Sequence, residues 1–233
     1  MLPSQTVENY LKTIHLTEAA NRAHAQAPSG ERALVPMGQL ASALGVVPGT
    51  ATTMVKTLAE SGLVHYEPYM GVRLTEAGER LASLVLRRHR LIELFLVKVL
   101  GMSWAEVHDE AERLEHAVSE QLIDRIDEML GRPETDPHGD PIPTAEGTIS
   151  HPEYVDLLSA PLNQPLMVVR VVDQGSDFLR FIEERHLKPG SIVVVESRDD
   201  MADSLLLRTD VAGALTIGTK AASKVLVNRV EGR

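Results

Sequence analysis

The chain has 233 residues, 43% of them hydrophobic, no cysteine and a formal net charge of −10. This is enough chain for two modest domains with packed cores, and it excludes disulfides and thiolate metal sites. No apolar run approaches the ~20 residues of a membrane span. The opening MLPSQTVENYLKTI lacks the basic-then-apolar pattern of a secretory signal, so a cytoplasmic protein is expected. Net acidity argues against nucleic acid as a partner for the whole molecule, but the charge is uneven. Residues 1–90 hold 9 Lys/Arg against 7 Asp/Glu, and residues 91–233 hold 14 against 26. The front can meet phosphate and the acidic remainder cannot.

In chain order, Gln5 to about Ala23 carries Val7, Tyr10, Leu11, Ile14 and Leu16 at helical spacing. A loop over 22–35 follows, then a short helix Met37–Leu44 ended by Gly45. Pro48-Gly49-Thr50 starts a helix to Glu60, with Ala51, Met54, Val55 and Leu58 as its inner face. Two short strands, Leu63–Tyr66 and Val72–Leu74, flank the turn Glu67–Gly71. Thr75 caps a long helix reaching about Leu100, and Ser103 is read as the cap of one helix from Trp104 to about Leu130. Residues 131–152, with five prolines, read as a linker. Strands at Leu166–Val172, Ile192–Glu196, Leu205–Thr209, Ala214–Ile217 and Val225–Val230, with one helix at Asp177–His186, predict a small β-barrel. The expected class is α+β, with a DNA-binding domain over 1–75, a helical domain over 76–150 and a barrel over 153–233.

Helix, tight turn, second helix and two-stranded hairpin make a winged helix-turn-helix. The second helix offers backbone N–H groups at Gly49 and Thr50 and the positive end of its dipole to a phosphate. Thr50, Thr52 and Thr53 add hydroxyls for phosphate oxygens or the thymine methyl, Lys56 adds a charge, and Arg73 in the wing is placed to reach the backbone. A winged helix used for protein contacts is the alternative. With one Lys and no Arg, Asn or Gln on the helix, modest direct readout assisted by DNA shape is expected.

The run His108-Asp-Glu-Ala-Glu112-Arg-Leu-Glu115-His116 places imidazoles and carboxylates at helical repeats of three and four. His89 and Glu93 repeat the pattern one helix earlier. Repelling carboxylates at this density call for a cation, and imidazole with carboxylate suits Mn, Fe, Co, Ni and Zn. The alternative is ordinary surface helix pairs worth a few tenths of a kcal/mol.

Together, VENYLKTI, SGLVHYEPYMGVRLTEAGERLA, RRHRLIELFL and VHDEAERLEH resemble the iron- and manganese-dependent repressors, the diphtheria toxin repressor and manganese transport regulator family. FIEERHLKPGSIVVV and IGTKAASKVLV resemble the SH3-like (FeoA-like) domain of its longer members. The resemblance implies a homodimeric, metal-activated repressor of metal-uptake genes, acting on a palindromic operator. It implies a primary site of Asn9, Glu112, Glu115 and His116, and an ancillary site of His89, Glu93 and His108, completed by Gln174 and Asp177. Glu at 112, where iron-type members have Cys, favours Mn(II). Asn9, where manganese-type members have Asp, removes one negative charge and leaves Fe(II), or both metals, open. A dinuclear metalloenzyme is the other-class alternative, but no nucleophile or oxyanion constellation accompanies the clusters. A DNA-binding protein with no metal switch is the third reading.

Overall fold

The computed structural model describes residues 4–25, 34–150 and 152–230. Most of the loop expected at 22–35 lies outside them. The chain divides into two compact units, Met1–Arg88 with Pro143–Ile149, and His89–Ile142 with Ser150–Arg233.

The first unit is the winged helix-turn-helix. It holds α1 (Gln5–Ala25), α2 (Met37–Ala43), α3 (Pro48–Glu60), β1 (Val64–Glu67), β2 (Gly71–Leu74) and the start of α4 (Glu76–Lys98). Tyr10, Leu11 and Ile14 on α1 share one core with Leu40, Ala51, Val55, Leu58, Val72 and Leu74. Pro at the first position of α3 supplies the fixed φ that a helix start needs. The Thr75 hydroxyl accepts from the Gly78 N–H at 3.1 Å, satisfying a free donor at the start of α4. Two buried carboxylates hold α1 in place: Glu8 pairs with Arg88 at 2.6 Å, and Glu18 accepts the Leu74 N–H at 2.8 Å.

In the second unit, α5 (Val107–Leu114) and α6 (Glu120–Met129) are separate helices where one from 104 to 130 was expected. Trp104 and Ala105 are packed into the core of the β-domain, so the helix cannot begin there. Ser119 takes an extended backbone and accepts the Leu122 N–H, starting a fresh helix. Glu115 caps α5, and His116 stands in the turn between the helices.

The proline-rich stretch is not a free spacer. Asp136, His138 and Asp140 are all buried. The Asp136 Oδ1 accepts the N–H groups of both His138 (2.8 Å) and Asp140 (2.9 Å), folding the segment into a tight turn. The Val171 N–H donates to the His138 carbonyl at 2.8 Å. A Cβ at Gly139 would meet the Val169 carbonyl at 1.9 Å, so only glycine allows this approach.

Beyond it lies an antiparallel sheet in the order β3-β8-β4-β5-β6-β7. Its strands are β3 (Val155–Asp156), β4 (Pro165–Val171), β5 (Ile192–Asp199), β6 (Ser204–Thr209), β7 (Gly213–Gly218) and β8 (Val225–Arg229). Helices α7 (Ser176–Glu184) and α8 (Thr219–Ala222) pack against it, with Leu179, Ile182 and Ala222 joining Val168, Val193, Leu205 and Val227 in the core. Bulges in the β4–β8 and β5–β6 ladders bend the sheet. No helix among the described residues is long and apolar enough to cross a membrane.

Candidate metal centre and DNA-reading helix

Helix α4 supplies the centre of the site. His89 and Glu93 are four apart and share its face. Nδ1 of His89 lies 2.6 Å from Glu115 Oε2, and Nε2 lies 3.0 Å from Glu93 Oε1. Each ring nitrogen therefore faces a carboxylate. A proton on each nitrogen satisfies that arrangement, and so does a metal ion in place of one proton. Glu112 Oε1 stands 3.7 Å from His89 Nδ1 and 3.9 Å from His108 Nε2, and His116 Nε2 lies 3.3 Å from Glu115 Oε1.

Glu93 is the hub. Its side chain is 1% exposed, and it faces His89, His108 (3.3 Å) and His138 (3.7 Å). Burial alone would raise its pKa. The three imidazoles beside it, two of them within hydrogen-bond distance, outweigh burial and hold the carboxyl well below the usual glutamate range.

Three sets of donors converge, each with one ligand atom per residue within 4.8 Å of the others: His89–Glu93–His108, His89–Glu112–Glu115 and Glu93–Asp136–His138. The first is the trio expected as the ancillary site; the second joins His89, expected there, to Glu112 and Glu115, expected in the primary site. The third was missed, because Asp136 and His138 fall in the segment read as a linker. Burial, then the charges of Asp140 and Glu93, push Asp136 up to about 7. Burial would lower the His138 pKa, but the nearby Glu93 carboxylate and the charge of Asp136 carry it above the ordinary value. His138 also reaches the Trp104 carbonyl through Nε2 at 2.8 Å and stacks on the indole.

The remaining expected ligands are placed differently. Gln174 donates to Asp140, which also pairs with Arg170, so it touches the neighbourhood of the third set rather than the first. The Asp177 side chain is fully exposed, pairs with Arg180 at 3.5 Å and joins none of the three sets. Asn9 belongs to the other unit; its Oδ1 is buried and makes no hydrogen bond. All converging donors are imidazole nitrogen or carboxylate oxygen, a set that fits a divalent first-row ion.

On α3, Gly49, Thr50, Thr53 and Lys56 are exposed and Thr52 is half-buried. A Cβ at Gly49 would meet nothing, so the helix start is open. The hydroxyls differ from expectation. Thr52 donates to the Pro48 carbonyl at 2.8 Å, and Thr53 to the Gly49 carbonyl at 3.0 Å. Their protons are spent inside the helix, leaving methyl groups and acceptor lone pairs. The Thr50 N–H, expected to be free, donates to the Val47 carbonyl at 3.0 Å, so of the expected donors on α3 the Gly49 N–H, the Thr50 hydroxyl and the Lys56 ammonium are left.

Three family models cover the chain: the N-terminal DNA-binding domain of iron-dependent repressors over residues 3–72, their metal-binding and dimerisation domain over 75–144, and the FeoA domain over 155–229. The iron-dependent repressor IdeR of Mycobacterium tuberculosis is 32% identical over 205 residues, 82% of this chain and 84% of its own length. The MntR regulator of Lysinibacillus sphaericus is 32% identical over 136 residues, 58% of this chain and 89% of its own. A solved manganese-dependent transcriptional repressor in complex with manganese shares 38% identity and a TM-score of 0.80, covering 96% of this chain and all of that one. A DNA-reading winged helix joined to a buried His/carboxylate centre is the plan of a metal-dependent repressor, and the chain belongs to the diphtheria toxin repressor family of iron- and manganese-dependent regulators. Its members are DNA-binding, dimerising transcriptional repressors and not enzymes.

Proposed function

We propose that this chain is a Mn(II)-activated repressor of metal-uptake genes. The observation that carries the choice of metal is the donor set at His89, Glu112 and Glu115, which is all nitrogen and carboxylate oxygen in a chain with no cysteine. Hard oxygen donors favour Mn(II) over softer ions. The manganese-dependent relative matched over nearly the whole chain supports the same choice. Glu112, Glu115, His116 and Asn9 are proposed as primary ligands, and His89, Glu93 and His108 as the ancillary set, with Asp136 and His138 added to it; His89 stands between the two sets, its Nδ1 beside Glu115 and its Nε2 beside Glu93. The free Oδ1 of Asn9 is a neutral donor, and for that reason Fe(II) is the second ion the site accepts.

When bound, the ion supplies positive charge among carboxylates that otherwise repel. The chain's own residues do the rest. Glu8 and Arg88 lock α1 to α4 one residue before His89. A dimer placing two α3 helices in successive major grooves would read a palindrome with half-sites about one helical turn apart. Metal and DNA that favour the same conformation couple by about 1–3 kcal/mol. Titration of Mn(II) into the protein, followed by loss of the free-ion EPR signal, tests the ligand assignment. Glu112→Ala is expected to remove the tighter phase, and an unchanged isotherm would contradict the assignment.

A further inference from the structure

We propose that the free edge of β7 pairs with β7 of a second copy of this chain, in antiparallel register about Leu215, and so joins repressor dimers to one another. This surface lies outside the dimerisation domain of residues 75–144, and the proposal goes beyond metal-switched DNA binding.

The two edges of the β-domain are finished differently. At one edge β3 is two residues long and follows Pro152 closely, which leaves little for a further strand to pair with. At the other, β7 runs six residues against β6, from Gly213 opposite Thr209 to Gly218 opposite Ser204, with no bulge. Residues 211–219 carry no charge and no proline, so the usual devices that block pairing along an outer strand are missing. The Thr219 N–H donates to the Asp203 carbonyl at 2.9 Å, one step beyond the end of the ladder. Bonded and non-bonded pairs alternate between antiparallel strands. Gly213, Leu215 and Ile217 therefore bond to β6, and the N–H and C=O groups of Ala214, Thr216 and Gly218 point outward. Among the described residues no strand takes them up.

The sequence of the edge makes a second copy the occupant. Outward groups must oppose outward groups, and with Leu215 opposite itself Ala214 meets Thr216 and Ala212 meets Gly218, once on each side of a two-fold axis. That register also sets Asp210, just before the strand, against Lys220, just after it, again on both sides; both residues are exposed. A shift to centre the pairing on Ala214 or Thr216 loses this match of opposite charges. Lys220 also bears on Asp173, but that carboxylate is already paired with Lys224 at 2.5 Å. Leu215 is only partly buried at the margin of the core, and the self-pair places it at a non-hydrogen-bonded position, where facing side chains come closest. A two-fold contact added to the two-fold of the helical domain links dimers into larger assemblies. Strands of six residues make a small interface, so the link is weak in solution and strongest where DNA holds two dimers side by side.

The test is sedimentation equilibrium of the full-length, Mn(II)-loaded protein over about 5–500 µM, with amide hydrogen exchange of the 210–220 segment across the same range. The average mass is expected to climb above that of the dimer as concentration rises, while the β7 amides exchange more slowly. Thr216→Pro removes one outward N–H and leaves the bonds to β6 in place; it should hold the mass at the dimer throughout. Asp210→Lys should weaken the association by about fivefold or more. The double change Asp210→Lys, Lys220→Asp should restore it to within about twofold of wild type. A wild-type mass fixed at the dimer, with β7 exchange independent of concentration, would overturn the self-pair and leave the edge to a chain of another sequence. Association that neither Thr216→Pro nor Asp210→Lys alters would also overturn it, by placing the contact elsewhere. Should Thr216→Pro not fold, the charge reversal and its restoration decide the matter.

Discussion

Replacing Glu93 by Ala removes the carboxylate that three imidazoles share. The wild-type side chain is 1% exposed and accepts from His89 at 3.0 Å and His108 at 3.3 Å. Each charge-assisted hydrogen bond in such a setting contributes about 1.5–3 kcal/mol. Breaking a buried charge pair from one side costs about 3–5 kcal/mol, because the partners stay buried without compensation. A loss of roughly 3–5 kcal/mol in the metal-free protein therefore follows. For a chain of this size, each kcal/mol shifts the melting temperature by about 2–4 °C, so a fall of roughly 6–20 °C is expected by circular dichroism in chelator. Glu93→Gln keeps one acceptor oxygen and should lose less. The same variants should lose Mn(II) binding at the sets containing Glu93. A melting temperature within 2 °C of wild type for Glu93→Ala would refute the view of Glu93 as the hub.

Three further outcomes follow from the same geometry. Glu112 is 35% exposed and stands 3.7 and 3.9 Å from its imidazole partners, so Glu112→Ala should change metal-free stability by less than about 1 kcal/mol while weakening the response to Mn(II). Equal damage to melting temperature and metal response would assign Glu112 a structural role instead. Gly139→Ala should destabilise the second unit by several degrees, because φ is +87° and the new Cβ would strike the Val169 carbonyl; an unchanged melting curve would contradict this packing. Asp136, pushed up to about 7, is partly protonated near neutrality, and His138, raised above its ordinary value, keeps its proton to higher pH than a free imidazole. Metal must displace those protons, so affinity at the third set should rise as pH increases through about 7. Calorimetry in buffers of different ionisation enthalpy should show proton release at pH 6.5, and none would remove Asp136 and His138 from the ligand set.

The winged helix was legible in the sequence because its signals are local. Apolar spacing marks α1 and α3, Gly45 and Gly62 punctuate, and Thr75 caps α4. His89 with Glu93, and His108 with Glu112, were legible because a helix sets their distance. The contact of His89 with Glu115 joins residues 26 apart, and neither helix spacing nor the resemblance, which put the two residues in different sites, pointed to that pairing. The break between α5 and α6 was missed because apolar periodicity runs on across it; the Ser119-Glu120 cap was its signal. Asp136 and His138 were missed because proline-rich composition reads as a spacer. A His flanked by two Asp among glycine and proline was the available clue: Asp136 folds the turn, Gly139 lets it approach β4, and the burial that results depends on tertiary packing that composition does not encode.

The measurement that bears most directly on a metal-switched repressor is anisotropy of the full-length protein on DNA from upstream of a metal-uptake gene in its genome. It is run in chelator, with Mn(II), and anaerobically with Fe(II). Tight binding with metal and none in chelator is the predicted result, with the Mn(II) midpoint at or below that of Fe(II). Binding that chelator leaves unchanged would contradict the switch and reduce the His and Glu clusters to structural ion pairs.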